Sequence, residues 1–156
     1  MAILQANHGP IPSLQNGSDR MVGGQVARDD ISRGEAERLR RLDEAARVSR
    51  TFDVIAGKGA LWVWGDEDEI LFTEDATRRT LLPIWPYATV ARLENEGDVD
   101  GEHAIEISAD VFLKDWLPQL REDDADIAVF PVEERNAAIL TLAEFRSRMT
   151  VALRMN

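Results

Sequence analysis

His103 is the side chain best suited by type to moving a proton near neutral pH. Glu102 and Glu106 stand close to it in sequence, and a histidine beside a carboxylate is a common form of general base. Successive residues of a strand point to opposite faces, so in an extended segment Glu102 faces away from His103. No nucleophile or oxyanion donor can be assigned next to it. Paired carboxylates offer cation chemistry instead. Asp66 and Asp68 are two apart in a turn, and Asp98-Val99-Asp100-Gly101 looks like the start of a calcium loop. Such a loop closes on a glutamate at its twelfth position. Counted from Asp98, that position is Ala109, so the pattern fails. The chain has no cysteine and two histidines, His8 and His103. Thiolate metal sites, disulfides, cysteine nucleophiles and three-histidine metal sites are therefore excluded. There is no phosphate-binding loop, no dinucleotide fingerprint, no nucleophile elbow and no H-E-x-x-H. The reading is no catalytic residue, no metal and no cofactor.

Tryptophan is the most distinctive residue type. Trp62, Trp64, Trp85 and Trp116 are many for 156 residues. Trp62 and Trp64 share one face of their strand. Packing under a helix is the plainer reading. The functional one makes Trp64 and Trp85 aromatic anchors for a partner, since tryptophan is enriched at binding hot spots.

The elements that position these residues are short. Ser32-Arg33-Gly34-Glu35 has capping-box spacing and predicts one helix running from Ser32 to Gly57 or Gly59. Its expected apolar stripe is Leu39, Leu42, Ala46 and Ser49, with Ala45, Phe52 and Ala56 close by, and Arg47 on a solvated face. Ala60–Trp64 and Glu69–Thr73 read as a hairpin about Gly65–Asp68. Arg79–Leu82 reads as a strand stopped by Pro83. A short helix follows Trp85-Pro86, then a strand over 103–107. Ser108 caps a helix carrying Phe112, Trp116 and Leu120, which Pro118 should kink or stop near Asp115–Leu117. A strand over 126–130 ends at Pro131, and 136–140 is one further candidate. Thr141-Leu142-Ala143-Glu144 is a second capping box, and Phe145, Met149 and Leu153 then recur every four residues. Hairpins mixed with helices predict a single α+β domain over 31–156, with a mixed or mostly antiparallel sheet under packed helices. Residues 1–30, broken by Gly9-Pro10, Pro12, Asn16-Gly17 and Gly23-Gly24, read as a flexible arm. Ile11-Pro12-Ser13-Leu14 could be a docking motif within it. The amino end has neither a basic start nor a long apolar run, and no stretch reaches membrane-span length. With no cysteines, this reads as a cytoplasmic protein that engages no membrane.

Two motifs carry a family resemblance. Leu82-Pro83-Ile84-Trp85-Pro86 and Phe112-Leu113-Lys114-Asp115-Trp116-Leu117-Pro118-Gln119-Leu120, with the aromatic strand and closing helix around them, resemble a family of small bacterial domains of unknown function. The resemblance spans about Phe52 to Leu153. It implies a compact cytoplasmic bacterial domain and carries over no catalytic role.

Charge then shapes the functional expectation. The net charge is −11. Up to residue 59, nine Lys/Arg stand against eight Asp/Glu; beyond it, nine stand against twenty-one. Such a surface repels nucleic-acid phosphates and acidic lipids and attracts a basic partner. The expectation is a non-enzymatic acidic protein-interaction module, of which an immunity-type inhibitor is one form. The expected contact residues are Asp66, Glu67, Asp68, Trp64, Trp85, Glu122, Asp123 and Asp124, with the acidic loop 94–102 steering the encounter. The alternatives are a small-ligand binder or enzyme using Trp85 and His103, and a DNA mimic.

Overall fold

Local capping opens the helical part of the chain. The structure, a computed structural model, describes the backbone of residues 2–5 and residues 30–95, 101–132 and 137–154. Ser32 Oγ accepts the Glu35 amide at 3.1 Å and starts α1, Arg33–Arg40. The expected single helix is two. Asp43 Oδ1 accepts the Ala46 amide at 2.8 Å and starts α2, Glu44–Lys58. A capping aspartate offers the backbone a competing hydrogen bond, which is why the helix restarts there. The restart turns a different face inward. α1 buries Ala36 and Leu39; α2 buries Arg47, Val48, Thr51, Phe52, Ile55 and Ala56. Ala45 and Ser49 are exposed, and Arg47 is 1 % exposed instead of solvated. Gly59 ends α2 in the left-handed conformation, φ 75°, as expected of a glycine cap.

The strands are β1, Ala2–Gln5; β2, Ala60–Gly65; β3, Leu71–Glu74; β4, Thr80–Ile84; β5, His103–Ser108; β6, Asp126–Val129; and β7, Ala138–Leu140. The remaining helices are α3, Ala88–Asn95; α4, formed by Ala109–Val111, a π-helical turn Phe112–Trp116 and Leu117–Glu122; and α5, Leu142–Arg154. A five-stranded sheet has the order β1-β3-β4-β6-β7, in which only β4 and β6 run parallel; β2 and β5 make a two-stranded ribbon. This is a single α+β domain with a mostly antiparallel arrangement, as expected. The segment read as an arm contributes β1, which pairs with β3, and Asp30; the rest of 1–29, including Ile11–Leu14, lies outside the described residues.

The expected hairpin of β2 with β3 shrinks to one bridge, Gly65 to Ile70. β2 instead pairs along its whole length with β5, from Ala60 opposite Ser108 to Gly65 opposite His103. On its other edge Trp62 exchanges both backbone hydrogen bonds with Trp85, at 3.0 and 2.9 Å, and so joins the ribbon to the sheet. Gly65 makes the turn between them, because the Glu69 carbonyl leaves no room for a Cβ there.

Two of the three prolines expected to end or kink elements, Pro83 and Pro118, are accommodated inside them, whereas Pro131 lies beyond β6. Backbone groups alternate sides along a strand. The Ile84 carbonyl accepts the Phe130 amide at 2.8 Å and so faces β6. Leu81, Pro83 and Trp85 therefore face the opposite edge. There β3 covers Leu81 and Trp62 covers Trp85, and Pro83 falls between them, where a missing N–H costs no ladder bond. In α4, the Leu117 amide bonds to the Phe112 carbonyl, five residues back. This π-turn carries the helix past Pro118, whose ring would otherwise crowd the carbonyl four residues before it.

Asp30 holds the segment before α1 to α3. Its carboxylate accepts the Ala88 amide at 2.7 Å, the Thr89 amide at 3.1 Å and the Thr89 hydroxyl at 3.0 Å. Arg40 adds a two-pronged pair to Glu94, at 2.7 and 3.3 Å. Beneath the helices, Leu61, Val63, Leu82, Ile84, Ile105, Phe112, Trp116, Phe145 and Met149 form one continuous core.

The turn between β3 and β4 gives a pH prediction. Asp75 Oδ1 accepts the Thr77 hydroxyl at 2.7 Å, the Arg79 amide at 2.9 Å and the Thr77 amide at 2.9 Å. The Thr77 hydroxyl, then the Arg79 amide, hold the Asp75 carboxyl below the ordinary aspartate range. A depressed carboxyl stabilises the fold above its unfolded pKa, and that contribution is lost as pH falls through its folded pKa. Asp75→Asn should therefore flatten the acid limb of the stability curve below the ordinary aspartate range and leave its slope at neutral pH unchanged. Urea melts at a series of pH values check this; an unchanged acid limb would refute it.

Candidate functional site

A groove of about 460 Å³ lies between the end of α4 and the start of α5. Its lining is Leu117, Pro118, Leu142 and Ala143, with Arg121, Glu122 and Arg146 as its charged side chains. Each wall is fixed by local chemistry. After the π-turn, Leu117 is buried while Pro118 is exposed. The capping box sets the opposite wall: Glu144 Oε1 accepts the Thr141 amide at 2.9 Å, and Thr141 Oγ1 accepts the Glu144 amide at 3.1 Å. The Thr141 amide, then its hydroxyl, hold the Glu144 carboxyl below the usual glutamate range. Phe145 and Met149, both fully buried, fasten α5 to the core and leave Leu142, Ala143 and Arg146 to the groove.

The end of α4 builds the acidic turn beside it. The Ala125 amide bonds to the Leu120 carbonyl at 2.9 Å and the Asp124 amide to the Arg121 carbonyl at 3.1 Å. This is a Schellman closure with Asp124 at the left-handed position, φ 58°. Asp123 accepts a hydrogen bond from Gln119 Nε2 at 3.3 Å. Glu122 and Asp124 are exposed.

Several basic side chains of this acidic chain are engaged. Arg33 pairs with Glu37, Arg40 with Glu94, Arg79 with Asp75 and Asp126, and Lys114 with Asp110. Arg148 lies over the Phe52 ring and Lys58 over Tyr87. The guanidinium groups of Arg121 and Arg146 have no ion pair among the described residues.

The eight residues expected to contact a partner are dispersed. Glu122 lines the groove, and Asp123 and Asp124 continue its turn. Asp66, Glu67 and Asp68 form a separate turn in which Asp66 Oδ1 accepts the Asp68 and Glu69 amides, both at 2.8 Å. Glu67 and Asp68 are exposed there. Trp64 and Trp85 are 6 % and 2 % exposed. Their indole N–H groups point to internal partners, Glu102 at 3.4 Å and the Pro131 carbonyl at 3.2 Å. Neither is a surface anchor; the packing reading describes both.

His103 has its Nδ1 3.2 Å from the Gly101 carbonyl and, like Trp85, does not line the groove. The Asp98–Gly101 segment lies outside the described residues except for Gly101. Among the described residues no group of three or more His, Asp or Glu could hold a metal ion, and no helix is long and apolar enough to cross a membrane.

Residues 48–149, from α2 through α5, match the family model described as Protein of unknown function (DUF2750). The chain belongs to this family. The match contains both resemblance motifs and the whole groove, whereas α1 and Asp30 precede it. No curated protein and no solved structure matches the chain. Within the DUF2750 region, Arg121, Leu142 and Arg146 were not singled out from the sequence. Their signal is faint: Leu142 and Ala143 stand inside the Thr141–Glu144 capping box, and Arg146 follows Phe145 in sequence.

Proposed function

We propose that this DUF2750 domain is a protein-interaction module whose contact surface is the α4–α5 groove with the acidic turn beside it. One observation carries the reading: Glu122 belongs to both, so an apolar surface and a cluster of carboxylates meet in one place. Apolar lining supplies affinity, and flanking charge supplies orientation and encounter rate. The net charge of −11 favours a basic partner. The turn at Asp66, Glu67 and Asp68 adds to that long-range field. An immunity-type inhibitor, covering a basic protein in the cytoplasm, is one form of such a module.

The test neutralises the turn while keeping its shape. In Glu122→Gln/Asp123→Asn/Asp124→Asn, asparagine tolerates the left-handed position at 124. Cross-linked capture from native cells, at low and at high salt, is compared with the unaltered protein. The captured partner should be basic, should be lost with raised salt, and should be lost with the triple variant. Equal recovery in all conditions would refute the reading.

A further inference from the structure

We propose that the α4–α5 groove seats the carboxyl terminus of the partner protein, with its apolar last residue against Leu117, Pro118, Leu142 and Ala143 and its carboxylate on Arg121 and Arg146. The inference rests on the interaction-module reading and names what the module grips.

Charge complementarity selects this occupant. Acidic side chains outnumber basic ones in the chain by twenty-nine to eighteen, and Arg33, Arg40, Arg79 and Lys114 are already ion-paired. Arg121 and Arg146 nevertheless both line this groove, without an ion partner among the described residues. Covering that groove with an apolar segment alone would strip water from both charges, at a cost that only an opposite charge offsets. The guanidinium fork fits a carboxylate in two-pronged geometry. Glu144, the nearest acid on α5, is held by the Thr141 cap and does not supply it.

Size and net charge narrow the source of that carboxylate. The volume, about 460 Å³, is in the range of roughly 300–1,000 Å³ that takes a small ligand, so it suits a few residues and not a whole helix. A basic partner is poor in acidic side chains, yet every chain ends in one carboxylate. The same partner can therefore satisfy the two arginines and the acidic turn together. Glu122, on the groove beside Arg121, ranks the residues preceding the last one in favour of Lys or Arg.

The experiment uses N-acetylated pentapeptides with a C-terminal Leu and two upstream Lys, as free acids and as C-terminal amides. Backbone amide resonances of Leu117, Leu142 and Ala143 are followed by NMR in the full chain. The free acid should bind and shift these resonances. The amide should bind at least about tenfold more weakly, the worth of a charge-assisted pair. Arg121→Gln/Arg146→Gln should bind the free acid as weakly as the unaltered protein binds the amide, with an unchanged thermal melt. Equal binding of acid and amide, or no shift with either, overturns the proposal. Octanoate binding as tightly as the free-acid peptide overturns it too, because the site would then take a free apolar acid. If the captured partner binds equally well after its last residues are removed, this inference fails and the module reading stands. If the peptides bind but capture shows no dependence on the acidic turn, the reading fails instead.

Discussion

Arg47→Met is expected to lower the melting temperature by roughly 6–12 °C. Arg47 is 1 % exposed. Its Nη1 donates to the Leu42 carbonyl at 2.6 Å and its Nε to the Phe130 carbonyl at 3.3 Å, with the guanidinium 6.0 Å from the Phe130 ring centre. Burying a cation is costly, and replacing buried ions by apolar residues can stabilise a protein when both partners are replaced together. That gain does not apply here, because the acceptors are backbone carbonyls that remain. Losing the guanidinium donor costs about 1–3 kcal/mol at each carbonyl, so the pair sums to about 3 kcal/mol after methionine refills the space. At about 2–4 °C per kcal/mol for a chain of this length, that gives the stated shift. The contacts also hold unfavourable backbone in place. Leu42 is in the break between α1 and α2, and Phe130 has φ 48°, a left-handed conformation that an aromatic residue adopts at a cost of about 1–2 kcal/mol. Arg47→Lys can reach one carbonyl and should lose about half as much. Circular-dichroism melts decide it: a Met variant within about 2 °C of the unaltered protein would mean that the guanidinium holds nothing.

What the sequence made legible was local. Ser32, Ser108 and Thr141 cap helices where their spacing says they do, because a cap is set by residues within one turn. Phe145 and Met149 fall on the buried face of α5, because one strong periodicity covers that helix. Competition between local signals was harder to read. Asp43 is as good a cap as Ser32, but the Leu39 and Leu42 pattern runs across it and conceals the restart. Arg47 was assigned to solvent by its charge, while its burial depends on two carbonyls that the fold brings from 5 and 83 residues away. β2 has an apolar neighbour in β3, yet its long pairing is with β5, 38 to 48 positions distant. Pro83 is tolerated only because two strands on one edge leave a gap opposite it. The candidate site follows the same division. Glu122, Asp123 and Asp124 were visible as an acidic turn. The groove was not, because its walls come from helices separated by β6 and β7.

Phe145→Ala tests whether the groove depends on the core beneath it. Phe145 is fully buried, with its ring 5.4 Å from Phe52 and 5.3 Å from Phe112, the latter edge-on. Phe112 in turn stacks on Trp116 at 5.7 Å, so one aromatic chain ties α2, α4 and α5 together. Removing the ring forfeits its transfer free energy and leaves a cavity that surrounding helices fill only in part, at about 3–5 kcal/mol. Urea unfolding should show a midpoint lowered by that amount divided by the slope, with the slope unchanged. Phe145→Leu keeps most of the volume and loses the ring contacts, each worth about 0.5–1.5 kcal/mol, so it should sit between the two. The consequence for the site follows from position. Phe145 is adjacent in sequence to Arg146 and two residues beyond Ala143, both groove residues. A core that relaxes under α5 moves that wall relative to Leu117 and Arg121. Peptide affinity should therefore fall in Phe145→Ala at temperatures where the variant is still folded, whereas Arg121→Gln/Arg146→Gln loses affinity with no change in melting. If Phe145→Ala binds the free-acid peptide as well as the unaltered protein does, the groove is set by the capping box alone and the aromatic chain contributes only stability.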